Sequence, residues 1–111
     1  MESLEIARLA ADALDSKKGE DISILDIREI SDIADYFVIA TGNNPNQMEA
    51  LMEAADEALS KAGINPGNTE GNKDSSWILM DYSDVIVHIF DAESRSFYDL
   101  DRIWKDSKKV I

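Results

Sequence analysis

The side chains best suited to chemistry in this 111-residue sequence crowd into residues 75–90, which read SSWILMDYSDVIVHIF. Asp81 and Asp84 supply two carboxylates, and oxygen ligands of this kind hold Mg²⁺, usually together with a nucleotide phosphate. A metal pair on one strand normally takes alternating positions, so that both carboxylates face the same side. Asp81 and Asp84 are instead three residues apart and straddle a predicted turn, where carboxylates commonly bond to nearby backbone. We therefore favour turn residues over metal ligands and expect no metal site.

His88 is the only histidine in the chain, so a histidine cluster is excluded. A Ser–His–acid arrangement is conceivable with any serine, but the Gly-x-Ser-x-Gly pattern of a nucleophile elbow does not occur. A half-buried histidine bonded to a neighbour explains the residue more simply. We expect no catalytic residue here.

The stretch Thr41-Gly42-Asn43-Asn44 is a second candidate, because it reads as a glycine turn between a strand and a helix. Free backbone N–H groups at such a place can bind an anion. The full phosphate-binding patterns, with several spaced glycines or a following lysine, are absent. We favour an ordinary turn, with Gly42 in an unusual backbone conformation, and expect no cofactor.

Trp77, Met80 and Tyr82 allow two interpretations. Aromatic and branched residues are what strands prefer, so all three can be packing residues. Alternatively they form a docking face, since Trp and Tyr are enriched at binding hot spots and neighbouring acids would complement a partner's Lys or Arg. The residue pattern alone leaves both interpretations open.

The first third of the chain predicts one helix and two strands that could position these residues. Apolar residues at helical spacing indicate a helix over Leu4–Ser16, with Ser3 as its N-cap. A near-alternating pattern over Ile22–Ile27 indicates a strand. The stretch Tyr36–Ala40 is apolar on both faces, which suits a central strand covered on both sides.

The middle of the chain predicts a second helix followed by a loop. Asn44 can cap this helix, Pro45 fits its first position, and Gly63 is the expected stop. Residues 65–75 are polar and contain Pro66 and two glycines, so we expect a surface loop that is too short to separate two cores.

The last third predicts a hairpin and a third helix. Trp77–Met80 and Val85–Phe90 are close enough to pair as antiparallel strands around Ser83. Ser96 opens a sequence that resembles a capping box, which predicts a helix start there. The expected inner face of this helix consists of Phe97, Leu100, Ile103 and Trp104.

Together these elements predict one α/β domain over residues 1–111, with a mixed sheet and helices packed on its faces. The unit from Tyr36 to Met80 reads as strand–helix–strand, so we expect a right-handed parallel crossover there. The hairpin adds antiparallel pairing and makes the sheet mixed.

Composition limits the classes of partner. The formal net charge is −12, from 23 acidic and 11 basic residues, and such a field repels phosphate backbones. The charge either favours a basic protein partner or serves only to keep the protein in solution, and composition alone leaves both interpretations open. The absence of cysteine excludes disulfides and thiolate chemistry. The first residues lack the features of a signal peptide, and no apolar stretch approaches the ~20 residues that span a membrane. We therefore expect a cytoplasmic protein with no membrane association.

Several stretches in order give the sequence its family resemblance. They are ADYFVIATGN (34–43), Glu70-Gly71, WILMDYSDVIVH (77–88) and the ending R-x-FY-x-L-x-x-IW from Arg95 to Trp104. With these the chain resembles the ribosomal silencing factor family, RsfS, also called the Iojap-like family.

The resemblance implies a non-enzymatic, ribosome-binding repressor of translation. Members of the family bind the large ribosomal subunit, chiefly through the basic ribosomal protein numbered fourteen. Binding blocks joining of the small subunit and reduces translation when nutrients are short. The resemblance also implies a nucleotidyltransferase-like mixed sheet and a homodimer in the free state.

Carried over by position, the resemblance implies a partner-binding surface formed by Trp77, Met80, Asp81, Tyr82 and Asp84. Two positions depart from the family pattern. Ser83 stands where glycine is more common, which affects the turn, and Asn44 stands where serine is common, which matters little because both residues can cap a helix.

Two rival functions stay open in the sequence. A nucleotidyltransferase-like enzyme would need alternating strand carboxylates that hold a divalent metal, and the strand ending at Asp81 offers only one acid. An adaptor for some other protein is compatible with every residue, because a docking face does not name its partner.

Overall fold

The six strands of the computed structural model, which describes residues Met1 to Ile111, form one mixed sheet in the order β3-β4-β5-β2-β1-β6. The strands are β1 (Glu20–Asp26), β2 (Tyr36–Gly42), β3 (Asn68–Glu70), β4 (Trp77–Asp81), β5 (Val85–Asp91) and β6 (Lys108–Lys109). The helices are α1 (Ser3–Ser16), α2 (Pro45–Lys61), α3 (Ala92–Tyr98) and α4 (Leu100–Ile103). The predicted α/β class with a mixed sheet is confirmed.

The pairing of β2 corrects one prediction. Its parallel neighbour is β5, in register from Tyr36 opposite Val85 to Gly42 opposite Asp91, and not β4. β4 pairs antiparallel with β5, as the predicted hairpin requires, and therefore runs opposite to β2. The crossover from β2 thus passes through α2, β3 and β4 before it reaches β5. β5 suits the central place because all its residues except Asp91 are buried, whereas every second residue of β4 is partly exposed.

Helices α1 and α2 pack on one face of the sheet, where their apolar stripes form the larger core with β2, β4 and β5. The predicted start of α2 is confirmed: Asn44 Oδ1 accepts a hydrogen bond from the amide of Gln47 at 2.8 Å, and Pro45 is the first helical residue. Gly63 follows the helix with a φ of 82°, in the left-handed region that glycine adopts most easily.

The start of α1 differs from the prediction. Ser3 is the first helical residue rather than the cap, Glu2 occupies the cap position, and no side chain caps the helix. The Ser3 hydroxyl instead donates to Asp35 Oδ2 at 2.8 Å, which ties α1 to the segment before β2. The Ser3 hydroxyl therefore bonds a residue distant in sequence instead of capping its own helix.

The opposite face of the sheet bears a smaller apolar cluster and the short helices α3 and α4. The single helix predicted from Ser96 is wrong. Asp91 caps α3 by accepting from the amide of Ser94 at 2.8 Å, and the helical path breaks at Asp99, whose φ is 48°. This break turns the chain so that Leu100 is buried and Trp104 half-buried, while Phe97 and Ile103 are exposed.

The segment predicted as a loop contains β3, which pairs antiparallel with β4 at the sheet edge. β6 pairs with β1 at the other edge. Both strands are short, polar and exposed, so neither has an apolar pattern that sequence inspection could detect. None of the helices has both the length and the apolar character needed to cross a membrane.

Candidate functional site

Alternation along β4 divides the predicted partner-binding residues between the two faces of the sheet. Met80 points towards α1 and α2 and is 1% exposed, and Tyr82, just after the strand, is 5% exposed in the same core. Trp77 and Leu79 lie on the other face, pack against the smaller cluster and are half-buried. Asp81 is the next alternate residue of β4, so its side chain lies on the same face as Trp77 and Leu79, and it is also half-buried. The structure therefore brings Trp77 and Asp81 together with Leu79, and separates them from Met80 and Tyr82.

Trp77 is fixed by aromatic neighbours and one hydrogen bond. Its ring centroid lies 4.9 Å from that of Phe90 and 4.8 Å from that of Tyr98. Its indole Nε1–H donates to Nδ1 of His88 at 3.1 Å. Because this donor is directed into the protein, the exposed part of Trp77 is apolar and π surface.

His88 is more deeply buried than predicted, at 4% exposure, but it is bonded to a neighbour as expected. Its ring lies edge-on to Phe37 at 4.6 Å between centroids. Burial lowers the pKa of His88 to about 4, so the imidazole is neutral at pH 7. Since Nδ1 accepts from Trp77, the proton is on Nε2, which is buried and has no hydrogen-bond partner.

The turn between β4 and β5 explains the carboxylate of Asp81. Asp81 Oδ1 accepts from the amide of Ser83 at 2.8 Å, as the turn interpretation predicted. Ser83 has a φ of 75°, a conformation that favours glycine. Asp84 is exposed, and its backbone carbonyl accepts from the amides of Asp35 and Tyr36 at 2.7 and 3.1 Å. No group of three or more acidic or histidine side chains is arranged to hold a metal ion.

Tyr82 supports the turn from inside the core. Its hydroxyl donates to Asp56 Oδ1 on α2 at 3.4 Å, a long contact. Burial, and then the nearby carboxylate of Asp56, raise the pKa of the Tyr82 phenol, so it stays protonated. Met80 and Tyr82 therefore hold β4 and its turn against the helices.

The Thr41–Asn44 turn serves packing and capping. Gly42 does not have a positive φ, so the predicted unusual conformation is wrong. Gly42 leaves room for the side chain of Met48, which would have to shift if a Cβ were present, because that Cβ would lie 2.8 Å from Met48 Sδ. The amide of Asn43 donates to Gln47 Oε1 at 2.7 Å, and the Thr41 hydroxyl accepts from Arg95 Nη1 at 3.0 Å.

We call the surface opposite α1 and α2 on the β3–β4 side of the sheet, with the adjoining part of α3, the outer face. In β3, Asn68 lies opposite Asp81 and Glu70 opposite Leu79, so their side chains share this face. The residues of the outer face are Asn68, Glu70, Trp77, Leu79, Asp81, Phe97 and Tyr98. The period-two pattern of β4 could have placed Leu79 beside Trp77. The sequence marks Glu70 only through the Glu70-Gly71 pair of the family resemblance, and it contains no signal for Asn68 or for the exposure of Phe97.

Comparisons with known proteins identify the family. The sequence matches the family model described as "Ribosomal silencing factor during starvation" over residues 1–111. It is 38% identical over 107 residues to the ribosomal silencing factor RsfS of Bacillus subtilis, covering 96% of this chain and 91% of that protein. It is 30% identical to the chloroplastic Iojap protein of Zea mays, covering 98% of this chain and 47% of that protein.

Solved structures are similar over nearly the whole chain. A crystal structure of a protein from Chromobacterium violaceum is 34% identical, with a TM-score of 0.91 over 95% of this chain and 88% of that one. A crystal structure of a protein from Bacillus halodurans is 32% identical, with a TM-score of 0.84 over 98% of this chain and 99% of that one. Both the sequence and the fold therefore agree with the resemblance noted above, and this chain belongs to the ribosomal silencing factor (RsfS) family.

Proposed function

We propose that this protein represses translation by binding the large ribosomal subunit through the basic ribosomal protein numbered fourteen, and so blocks joining of the small subunit. Membership of the ribosomal silencing factor family supports the ribosome as the target. The choice of that ribosomal protein rests on the family resemblance and on the net charge of −12, which suits a basic surface.

The observation that supports this function best is the incomplete burial of the side chains on the outer side of β4. Trp77, Leu79 and Asp81 alternate along one strand, are only half-buried, and face away from α1 and α2. A strand that is apolar but incompletely covered has the composition of an interface, in which aromatic anchors are desolvated at the core and acids at the rim meet the partner's cations.

The aromatic surface continues beyond β4. Phe97 is 79% exposed, and its ring lies 5.1 Å from that of Tyr98, which contacts Trp77. Neighbouring exposed aromatic rings support the proposal of an interaction surface here. In the free protein we propose that a second copy covers this apolar part, giving a homodimer.

Within this proposal the five residues that the family resemblance implicates have different roles. Trp77 and Asp81 contact the partner directly. Met80 and Tyr82 act from within the core by fixing β4 and its turn. Asp84 is exposed beside that turn, where its carboxylate adds to the negative field that a basic partner meets.

We propose a binding function rather than catalysis. The Asp81 carboxylate is engaged by the Ser83 amide, and Asp84 lies across the turn from it, so the two do not form a metal-binding pair on one strand. A protein that binds ribosomal subunits in this way would act in the cytoplasm, as the sequence predicts.

The test is co-sedimentation with separated large and small ribosomal subunits, together with a subunit-joining assay. We expect the protein to pellet with large subunits, not to pellet with small subunits, and to reduce joining of the two subunits. Binding should also weaken as salt rises, because charge complementarity contributes to it. A protein that pellets with neither subunit, or that pellets without affecting joining, would refute the proposal.

A further inference from the structure

The outer face contains a small cleft between β3 and β4. Four residues line it: Glu70, Gly71, Trp77 and Leu79. Its volume of about 180 Å³ is below the roughly 300–1,000 Å³ typical of pockets for cofactors and drug-sized ligands. The cleft is therefore suited to one side chain of a partner rather than to a nucleotide.

The walls of the cleft differ in chemistry. Trp77 provides an aromatic side whose N–H is already used by His88. Leu79 provides an apolar side. Glu70, directly opposite Leu79 in the β3–β4 pair, provides a carboxylate. An aromatic ring, an aliphatic surface and a carboxylate at one opening match a long cationic side chain, whose stem packs on apolar groups while its head binds the carboxylate and the ring.

The carboxylate of Glu70 accepts one hydrogen bond and lacks a cation. Asn68 Nδ2 donates to Glu70 Oε1 at 3.2 Å, which leaves Oε2 without a partner in the chain. None of the ion pairs in the structure involves Glu70. The basic residue nearest to it in sequence, Lys73, lines a different cleft with Asn43 and Asp91.

Gly71 gives the cleft its shape. Its φ is 92°, and a Cβ at this position would lie 2.7 Å from the carbonyl oxygen of Trp77. Only glycine therefore lets the segment after β3 lie against the start of β4. The position of Glu70 relative to Trp77 depends on this close approach.

From this geometry we infer that the cleft binds one lysine or arginine side chain of the basic partner, with Glu70 as the counter-ion and Trp77 as the π surface. The inference rests on the proposed function, since it names the chemistry by which the same outer face recognises its partner. Glu70 becomes a specificity-determining residue in addition to those that the family resemblance implied.

The test is pelleting with purified large ribosomal subunits by the parent protein and matched variants. Glu70→Gln keeps the size of the side chain and removes its charge, and we expect binding about ten-fold weaker. Glu53→Gln makes the same change on α2, in the groove between α1 and α2 on the opposite face. This control should bind within about two-fold of the parent, because distant exposed charges are screened.

A double-mutant cycle tests whether one cation contacts both residues. Trp77→Met keeps an apolar side chain without the π face, and should also weaken binding about ten-fold. If one cation bridges Glu70 and Trp77, the double variant loses less than the product of the two single losses. Thermal unfolding of each variant establishes that it is folded, and exposed β3 should tolerate Glu70→Gln.

The outcomes separate the two proposals. Equal binding by Glu70→Gln and Glu53→Gln, or losses that multiply in the double variant, would overturn the cation cleft while binding by the parent still supports ribosome docking. A parent protein that does not pellet would overturn both proposals.

Discussion

The indole Nε1–H of Trp77 donates a hydrogen bond to Nδ1 of His88 at 3.1 Å, and this bond joins the half-exposed strand β4 to the buried strand β5. The bond requires a histidine that is unprotonated at Nδ1. The orientation of the main aromatic residue on the outer face therefore depends on a neutral imidazole in the interior.

The first prediction concerns the pH dependence of stability. Burial lowers the pKa of His88 from 6.5 to about 4 in the folded protein, whereas the unfolded chain takes up this proton near pH 6.5. The unfolded state thus binds more protons between these values, and the free energy of unfolding falls as the pH drops from 6.5 towards 4. The contribution of His88 to this fall is about 3 kcal/mol, and it levels off below pH 4.

Urea unfolding of the parent and of His88→Phe over pH 7 to 4 measures this contribution. Carboxylates titrate in both proteins, so the difference between the two curves isolates His88. We expect the stability of the parent to decline more steeply than that of the variant. Parallel curves over the whole range would show that His88 is not held neutral by burial.

The second prediction separates the two faces of β4. Met80 is 1% exposed in the helix-covered core, so Met80→Ala should lower the free energy of unfolding by about 2–5 kcal/mol. Asp81→Ala removes one turn hydrogen bond at a half-exposed site and should lower it by about 1 kcal/mol or less. Denaturant titration of both variants measures these changes. A Met80→Ala variant as stable as Asp81→Ala would contradict the assignment of Met80 to the core.

The third prediction concerns the glycines that flank β3. Gly71→Ala should lower the free energy of unfolding by about 1–3 kcal/mol, because a Cβ would meet the Trp77 carbonyl and the backbone φ is 92°. Gly67→Ala is the matched control, since its Cβ would approach only the Asp81 carbonyl, at 3.8 Å. Thermal unfolding should place Gly67→Ala close to the parent. The reverse order would contradict the close approach of the segment after β3 to β4.

The parts of the fold that could be predicted from sequence are those with local signals. Asn44, Pro45 and Gly63 bound α2 as expected, since each acts through its own backbone or nearest turn. β2 was predictable as a buried strand because it is apolar on both faces. The pairing of β2 with β5 could not be predicted from sequence, because strand order depends on which strand best fills the centre of the sheet.

The predicted start and extent of the third helix were wrong for a related reason. Ser96 has the form of a cap, but Asp91 lies at the end of β5 and caps α3 first. Asp99 then adopts a left-handed conformation that no sequence pattern announces. Phe97 before this break and Ile103 after it are both exposed, so half of the predicted inner face lies at the surface.

The family resemblance supplied the members of the candidate site but not their arrangement. The family resemblance named Trp77, Met80, Asp81 and Tyr82 together, whereas the alternation of β4 places them on two faces. Glu70 was recognisable only as part of the Glu70-Gly71 pair that contributes to the family resemblance. Its proximity to Trp77 arises from pairing between strands, which the sequence does not reveal.

The most direct test of the central claim is the affinity of Trp77→Ala for purified large ribosomal subunits, measured by pelleting alongside Asp81→Ala and the parent. We predict that the folded Trp77→Ala variant binds about thirty-fold to a thousand-fold more weakly, since losing a central aromatic anchor costs ~2–4 kcal/mol. Asp81→Ala should also bind more weakly than the parent, because it removes an acid that meets a cation of the partner. If both variants are folded and bind large subunits as tightly as the parent, the outer face is not the docking surface and the account is wrong.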